Sequence, residues 1–100
     1  MGSSSEEGFV KRGFRIRGRV QGVYYRAWAR GVANELGLRG VVRNRRDGSV
    51  EAHVLGTPGG VADFESRLWE GPATASVESV DRQESVHEIP PGSFQILPTA

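Results

Sequence analysis

Phe14-Arg15-Ile16-Arg17-Gly18-Arg19-Val20-Gln21-Gly22-Val23-Tyr24-Tyr25-Arg26 is where the chain changes period. Phe14, Ile16 and Val20 alternate with Arg15, Arg17 and Arg19, and Gly18 takes an inward position. That is a strand with one core face and one arginine face. After Gly22 the spacing becomes helical. A strand that turns through glycine into a helix leaves several backbone N–H groups unpaired and converging, which is the raw material of an anion cradle. Arg26 falls in or near the first helical turn, where a cation is misplaced by a few tenths to about 1 kcal/mol. Arg30, one turn on, adds a mild repulsion. A bound anion would remove both objections.

Outward from this stretch, Val23 to Leu36 reads as a helix. Tyr25, Ala29, Val32 and Leu36 form its buried stripe, Trp28 flanks it, and Gly37 is the C-cap. Gly40 to Gly56 reads as a hairpin turning at Asp47-Gly48, a dipeptide that tolerates positive φ. Asn44 shares the mainly apolar face of its strand with Val42. Thr57-Pro58 is an N-cap followed by proline at the first helical position, and the second helix runs to about Glu70 with Val61, Phe64 and Leu68 inward. Gly71-Pro72 stops it. Ala75 to Val86 is a strand in which Val77 and Val80 break strict alternation, so a bulge is expected near Ser79. Val86 to Gly92 reads as a loop, and Phe94 and Ile96 as a short last strand.

The order β-α-β-β-α-β plus a terminal strand gives an α+β fold. It is a ferredoxin-like split β-α-β sandwich, an antiparallel sheet with both helices on one face. The other face is expected to hold Arg15, Arg17, Arg19, Glu51 and His53, with the arginines pairing across strands to Glu51 and Glu78.

The chain has 100 residues, 37% hydrophobic and 25% charged, with a formal net charge of +1. That is one soluble globular domain. Residues 1–8 are Gly/Ser/Glu-rich and read as a disordered segment with the composition of a tag remnant; residues 9–100 are the domain. No apolar run approaches the ~20 residues of a membrane span, and no signal peptide is visible. With no cysteine there is no disulfide framework, thiolate nucleophile or Cys-based metal site. The basic residues are twelve Arg and one Lys, a skew that suits phosphate recognition and equally suits a GC-rich genome. No carboxylate pair, Ser-His-Asp set or metal-ligand spacing stands out. His53, on the exposed sheet face, and His87, in a loop, are read as surface residues.

Gly18-Arg19-Val20-Gln21-Gly22-Val23-Tyr24-Tyr25-Arg26 resembles the G-x-V-Q-G-V-x-[FY]-R signature of acylphosphatases. Leu36 to Glu51 resembles the family's second signature, L-G-L-x-G-W-V-x-N-x-x-D-G-x-V-E. Gly71-Pro72 with Ala75, Val77 and Val80 resembles a later family segment. The resemblance covers roughly residues 12 to 97, and its family fold is the split β-α-β sandwich already read from the pattern. It implies hydrolysis of the carboxyl–phosphate anhydride of acyl phosphates, without metal or cofactor. Arg26 matches the family's phosphate-binding arginine and Asn44 its water-orienting asparagine. The backbone amides of Gln21, Gly22, Val23, Tyr24 and Tyr25 match its phosphate cradle, with the side chains of Gln21 and Tyr25 read as structural. Two positions depart from the pattern. Val41 stands where the family often has tryptophan, and Tyr25 replaces the commoner phenylalanine, adding a hydroxyl that must find a partner.

The expected partners are a small-molecule acyl phosphate and its product, inorganic phosphate. No membrane or nucleic-acid partner is expected, and the expected state is a cytoplasmic monomer. A nucleic-acid-binding sheet is the first alternative, disfavoured because the open face carries no stacking aromatics. The second is a phosphate-binding module without turnover, or one cut from a larger enzyme; the chain's length favours a stand-alone protein.

Overall fold

The computed structural model describes residues 8–100. The expected disorder of residues 1–8 therefore falls almost wholly outside the described residues. The elements are β1 (Val10–Arg19), α1 (Tyr25–Glu35), β2 (Arg39–Asn44), β3 (Val50–Gly56), α2 (Pro58–Glu70), β4 (Ser76–Gln83) and β5 (Gln95–Ile96). They build one sheet of order β4-β1-β3-β2-β5. β1 pairs antiparallel with β3 and β4, and β2 antiparallel with β3. Only the two-residue β5 departs from the antiparallel expectation: it runs parallel to β2, so the sheet is mixed. The chain leaves β4 at one edge, crosses the sheet and re-enters beside β2 in β2's own direction.

One apolar cluster joins the inward side chains of both helices to one face of every major strand. Phe14, Ile16, Val42, Val50, Ala52, Val54 and Val80 meet Tyr25, Ala29, Val32, Val61, Phe64 and Leu68, all buried. The Phe64 ring sits 6.1 Å from Phe14 and 6.0 Å from Phe94, tilted in both pairs, which links the sheet and second helix to the residue just before β5. Both helices therefore lie on one face, as the periodicity predicts.

The bulge is where the broken alternation put it. Arg17 pairs with Ser79 but Gly18 with Val77, so Glu78 is the extra residue. Helix α1 begins at Tyr25, the first residue of its apolar stripe and two residues after the expected start at Val23. Val23 is buried in the turn, and Tyr24 takes φ 64°, ψ 23°, in the left-handed region.

The open sheet face differs from expectation. Glu51 and His53 are 7% and 4% exposed. The segment after β4 folds back over them: Arg39 donates to the carbonyls of Ile89 and Pro90 (3.2 Å each), and Lys11 Nζ to that of His87 (2.9 Å). Ile89, within this strap, is itself buried. The arginines also choose other partners. Glu51 is held by Arg43 and Arg45 (3.0 and 3.2 Å), Arg15 lies 3.5 Å from Asp47, and Arg17 lies 3.2 Å from Asp81. Arg15 and Glu51 are paired in register, yet Arg43, paired with Glu51 from the other side, takes the carboxylate.

Candidate active site

The N-terminus of α1 lacks the fittings of an ordinary helix start. In α2, the Thr57 side chain accepts from the Gly60 amide (3.1 Å) and Pro58 occupies the first helical position. In α1, the N-cap is Tyr24, no side chain caps the first turn, and the first turn holds no acidic residue. Its leading N–H groups are thus left without an intrahelical acceptor. The first of the helix's own turn bonds is Trp28 N–H to Tyr24 O (3.1 Å).

The loop that carries these groups is fixed from three sides. The Gln21 amide donates to the carbonyls of Arg45 (2.7 Å) and Ser49 (2.8 Å), tying the loop to the β2–β3 turn. Thr74 Oγ1 donates to Val23 O (3.0 Å). The buried Tyr25 hydroxyl finds its partner in the Leu68 carbonyl at 2.6 Å, and burial pushes its phenol well above the usual tyrosine range.

Asn44 is the last residue of β2. Its carbonyl accepts from the Ala100 amide (3.1 Å), and the turn beyond it is closed by Arg45 N–H to Ser49 O (2.8 Å) and Gly48 N–H to Arg45 O (3.1 Å). Asp47 Oδ1 accepts from both the amide (2.9 Å) and the hydroxyl (2.6 Å) of Ser49, which stiffens the turn. The Asn44 side-chain oxygen is buried and has no hydrogen-bond partner. A buried orphan acceptor costs about 1–3 kcal/mol.

Arg26 and Asn44 line one cleft of about 380 Å³, together with Val20, Gly22, Tyr24, Tyr25, Ala27 and Ile96. Arg26 forms no ion pair among the described residues. A free guanidinium, an uncapped helix N-terminus and the absence of a first-turn carboxylate give the cleft a positive field suited to an anion. Of the residues singled out in the sequence, Gly22, Tyr24, Tyr25, Arg26 and Asn44 line the cleft. Val23 points into the core, and the Gln21 side chain is spent on the hairpin clamp. Sequence reasoning missed Val20, Ala27 and Ile96 as cleft walls. Val20 and Ile96 read only as alternating apolar residues, and nothing in the period marks the end of a core stripe as the wall of a cleft. Among the described residues no cluster of His, Asp and Glu is arranged to hold a metal ion.

Comparison with known proteins gives a consistent picture. A sequence model of the Acylphosphatase family matches residues 12–96. A protein of Mesorhizobium japonicum named acylphosphatase is 49% identical over 83 residues, spanning 83% of this chain and 88% of that one. One of Nitrobacter hamburgensis, also named acylphosphatase, is 47% identical over 95 residues, 90% of this chain and 96% of that one. Among solved structures, an acylphosphatase from Coxiella burnetii superimposes with a TM-score of 0.84 at 34% identity, covering 92% of this chain and 96% of that one.

Proposed function

The chain belongs to the acylphosphatase family and hydrolyses acyl phosphates, and from that premise we propose that Arg26 and the amides of the Gln21–Tyr25 loop bind the phosphoryl group while Asn44 orients the attacking water. The observation that carries this reading is the uncapped α1 N-terminus opening on one cleft with an unpaired arginine and an asparagine whose acceptor has no partner.

An acyl phosphate already has a carboxylate leaving group, so catalysis needs positioning and charge stabilisation more than a strong base. Arg26 holds two phosphoryl oxygens through its planar fork while the loop amides hold the third. As charge spreads over these oxygens in the transition state, fixed donors stabilise it without reorganisation. The Asn44 amide, with one donor and one acceptor group, holds a water in line with the phosphorus–oxygen bond to the acyl group. Water oxygen bonds to phosphorus, the bond to the acyl oxygen breaks, and the carboxylate departs with its electron pair. The water proton passes to a phosphate oxygen, so no side-chain base is required. The reading extends to a monomer in a cytoplasmic setting with no nucleic-acid partner.

The test is hydrolysis of benzoyl phosphate in the presence of a chelator. Wild type turns over undiminished. Arg26→Ala loses inorganic phosphate binding and at least about 10³-fold in kcat/KM. Asn44→Ala loses about 10²-fold or more in kcat while phosphate still binds. Full activity in both variants overturns the site, and a rate abolished by chelator overturns the metal-free mechanism.

A further inference from the structure

The sheet face away from the helices carries a second group of reactive side chains that acyl phosphate hydrolysis does not use. Ser85 Oγ lies 2.7 Å from His53 Nδ1, and His53 Nε2 lies 2.8 Å from Glu51 Oε2. Glu51 also accepts from Arg43 (3.0 Å), Arg45 (3.2 Å) and Gln83 (3.3 Å). A carboxylate so surrounded by donors is ionised and can only accept, so the bond from Nε2 must carry the imidazole proton. The lone pair is then on Nδ1, and the Ser85 hydroxyl donates to it. Nucleophile, base and orienting carboxylate stand in the sequence that activates a serine.

The arrangement is seated by the sheet itself. A Cβ on Gly13 would come within 3.1 Å of His53 Nδ1 and 3.0 Å of the Gln83 carbonyl, so glycine there makes room for the ring. The His87 ring stacks on His53 at 5.1 Å between centroids and closes it from above. Ser85 is not sealed in. It lines an open cleft of about 530 Å³ with Lys11, Arg12, Arg82, Gln83 and Glu84. Arg82 is neutralised by Glu65 (2.9 Å), which leaves Lys11 and Arg12 against Glu84.

We propose that Ser85 is a nucleophile, with His53 as its general base and Glu51 positioning that base, and that it takes acyl groups from small anionic activated esters drawn to Lys11 and Arg12. Ser85 Oγ bonds to the ester carbonyl carbon as its proton passes to His53 Nδ1. The bond from that carbon to the leaving alcohol breaks, and the alcohol departs as its oxyanion or takes the proton back from His53. Water then attacks the O-acyl-serine by the same route, releasing the carboxylate and restoring the hydroxyl.

The probe is the mono-4-nitrophenyl ester of terephthalic acid, an anion whose carboxylate cannot reach its own ester carbonyl, incubated with the full chain. The expected result is nitrophenolate release with a hydroxylamine-labile 4-carboxybenzoyl group on the peptide containing Ser85, both lost in Ser85→Ala. The same variant hydrolyses benzoyl phosphate at the wild-type rate, which separates this site from the Arg26 cleft. His53→Gln slows acylation about 10²-fold, and neutral 4-nitrophenyl benzoate reacts about tenfold more slowly than the anionic ester. The wild-type chain has no cysteine, so Ser85→Cys gives a second readout free of background. Iodoacetamide should alkylate that variant at least about tenfold faster than Val86→Cys, whose position is 85% exposed. An unmodified Ser85 peptide, acylation equally fast in a folded His53→Gln, or equal alkylation of the two cysteine variants overturns the proposal.

Discussion

Tyr24 is the pivot of the phosphate loop, and it holds a conformation that costs an L-residue about 1–2 kcal/mol. Its side chain is 82% exposed, so its own packing does not offset that cost. Its neighbours do: Val23 is buried and bonded from Thr74, and Tyr25 is buried and bonded to Leu68. Tyr25 does two jobs. Its ring fills the core, and its hydroxyl satisfies a carbonyl in the last turn of α2, where no intrahelical donor remains. Tyr25→Phe keeps the ring and orphans that carbonyl, so it should lower unfolding free energy by about 1–3 kcal/mol. Urea denaturation checks this; an unchanged midpoint would mean that Leu68 finds water instead. The sequence makes it plain that a buried tyrosine hydroxyl needs a partner. It does not say which, because the acceptor is a backbone atom 43 residues away, on another helix.

At the scale of elements, β1 shows why the order of strands and helices could be read directly and the cover of the open face could not. Alternation in Phe14, Ile16 and Val20 and the helical stripes of α1 and α2 are local patterns, and each survives into the structure. The bulge was legible too, from two valines three apart. Its seat is Gly18, at φ 123°, where a Cβ would collide with the Ser76 carbonyl and crowd the Glu78 amide at 2.7 Å. Gly18→Ala therefore combines positive-φ strain with overpacking against backbone, and should cost at least about 3 kcal/mol. A thermal melt of the variant measures it, and a loss under about 1 kcal/mol would show that the β1–β4 register can slip to make room. The strap after β4, by contrast, has no period and holds Pro90-Pro91-Gly92. Nothing local announces that it lies on β2 and β3. Hence His53 and Glu51 read as exposed strand residues, and the Ser85–His53–Glu51 arrangement was invisible: its members are 32 and 2 residues apart, and only the fold-back brings the serine to the ring.

For the molecule as a whole, the two faces of the sheet are stabilised by different physics, and pH separates them. The helix-side core is apolar, apart from a tyrosine that stays protonated across the accessible range. The strap side rests on titratable groups. Burial works to raise the Glu51 pKa, but hydrogen bonds from His53 and Arg43 and their positive charges outweigh it, so the carboxyl is held at about 2 against an ordinary 4.5. Burial lowers the pKa of His53 below its ordinary 6.5; the Glu51 hydrogen bond and charge oppose this, while His87 and Arg43 reinforce it. Both groups therefore bind protons more readily in the unfolded chain. Their contribution to stability is complete above pH 6.5, begins to fall as His53 of the unfolded chain protonates below that, and falls further from pH 4.5 down to about 2 as Glu51 is lost. The Glu51 share is on the order of 3 kcal/mol. Urea unfolding at pH 7, 5 and 3 should show wild type losing most of that amount between pH 5 and 3. Glu51→Gln should be less stable at pH 7, because Arg43 and Arg45 lose their carboxylate, yet lose much less between pH 5 and 3. Equal losses in the two proteins would assign the acid sensitivity to the exposed carboxylates, and would mean that the strap is held by Ile89 and its backbone contacts rather than by the charge beneath it.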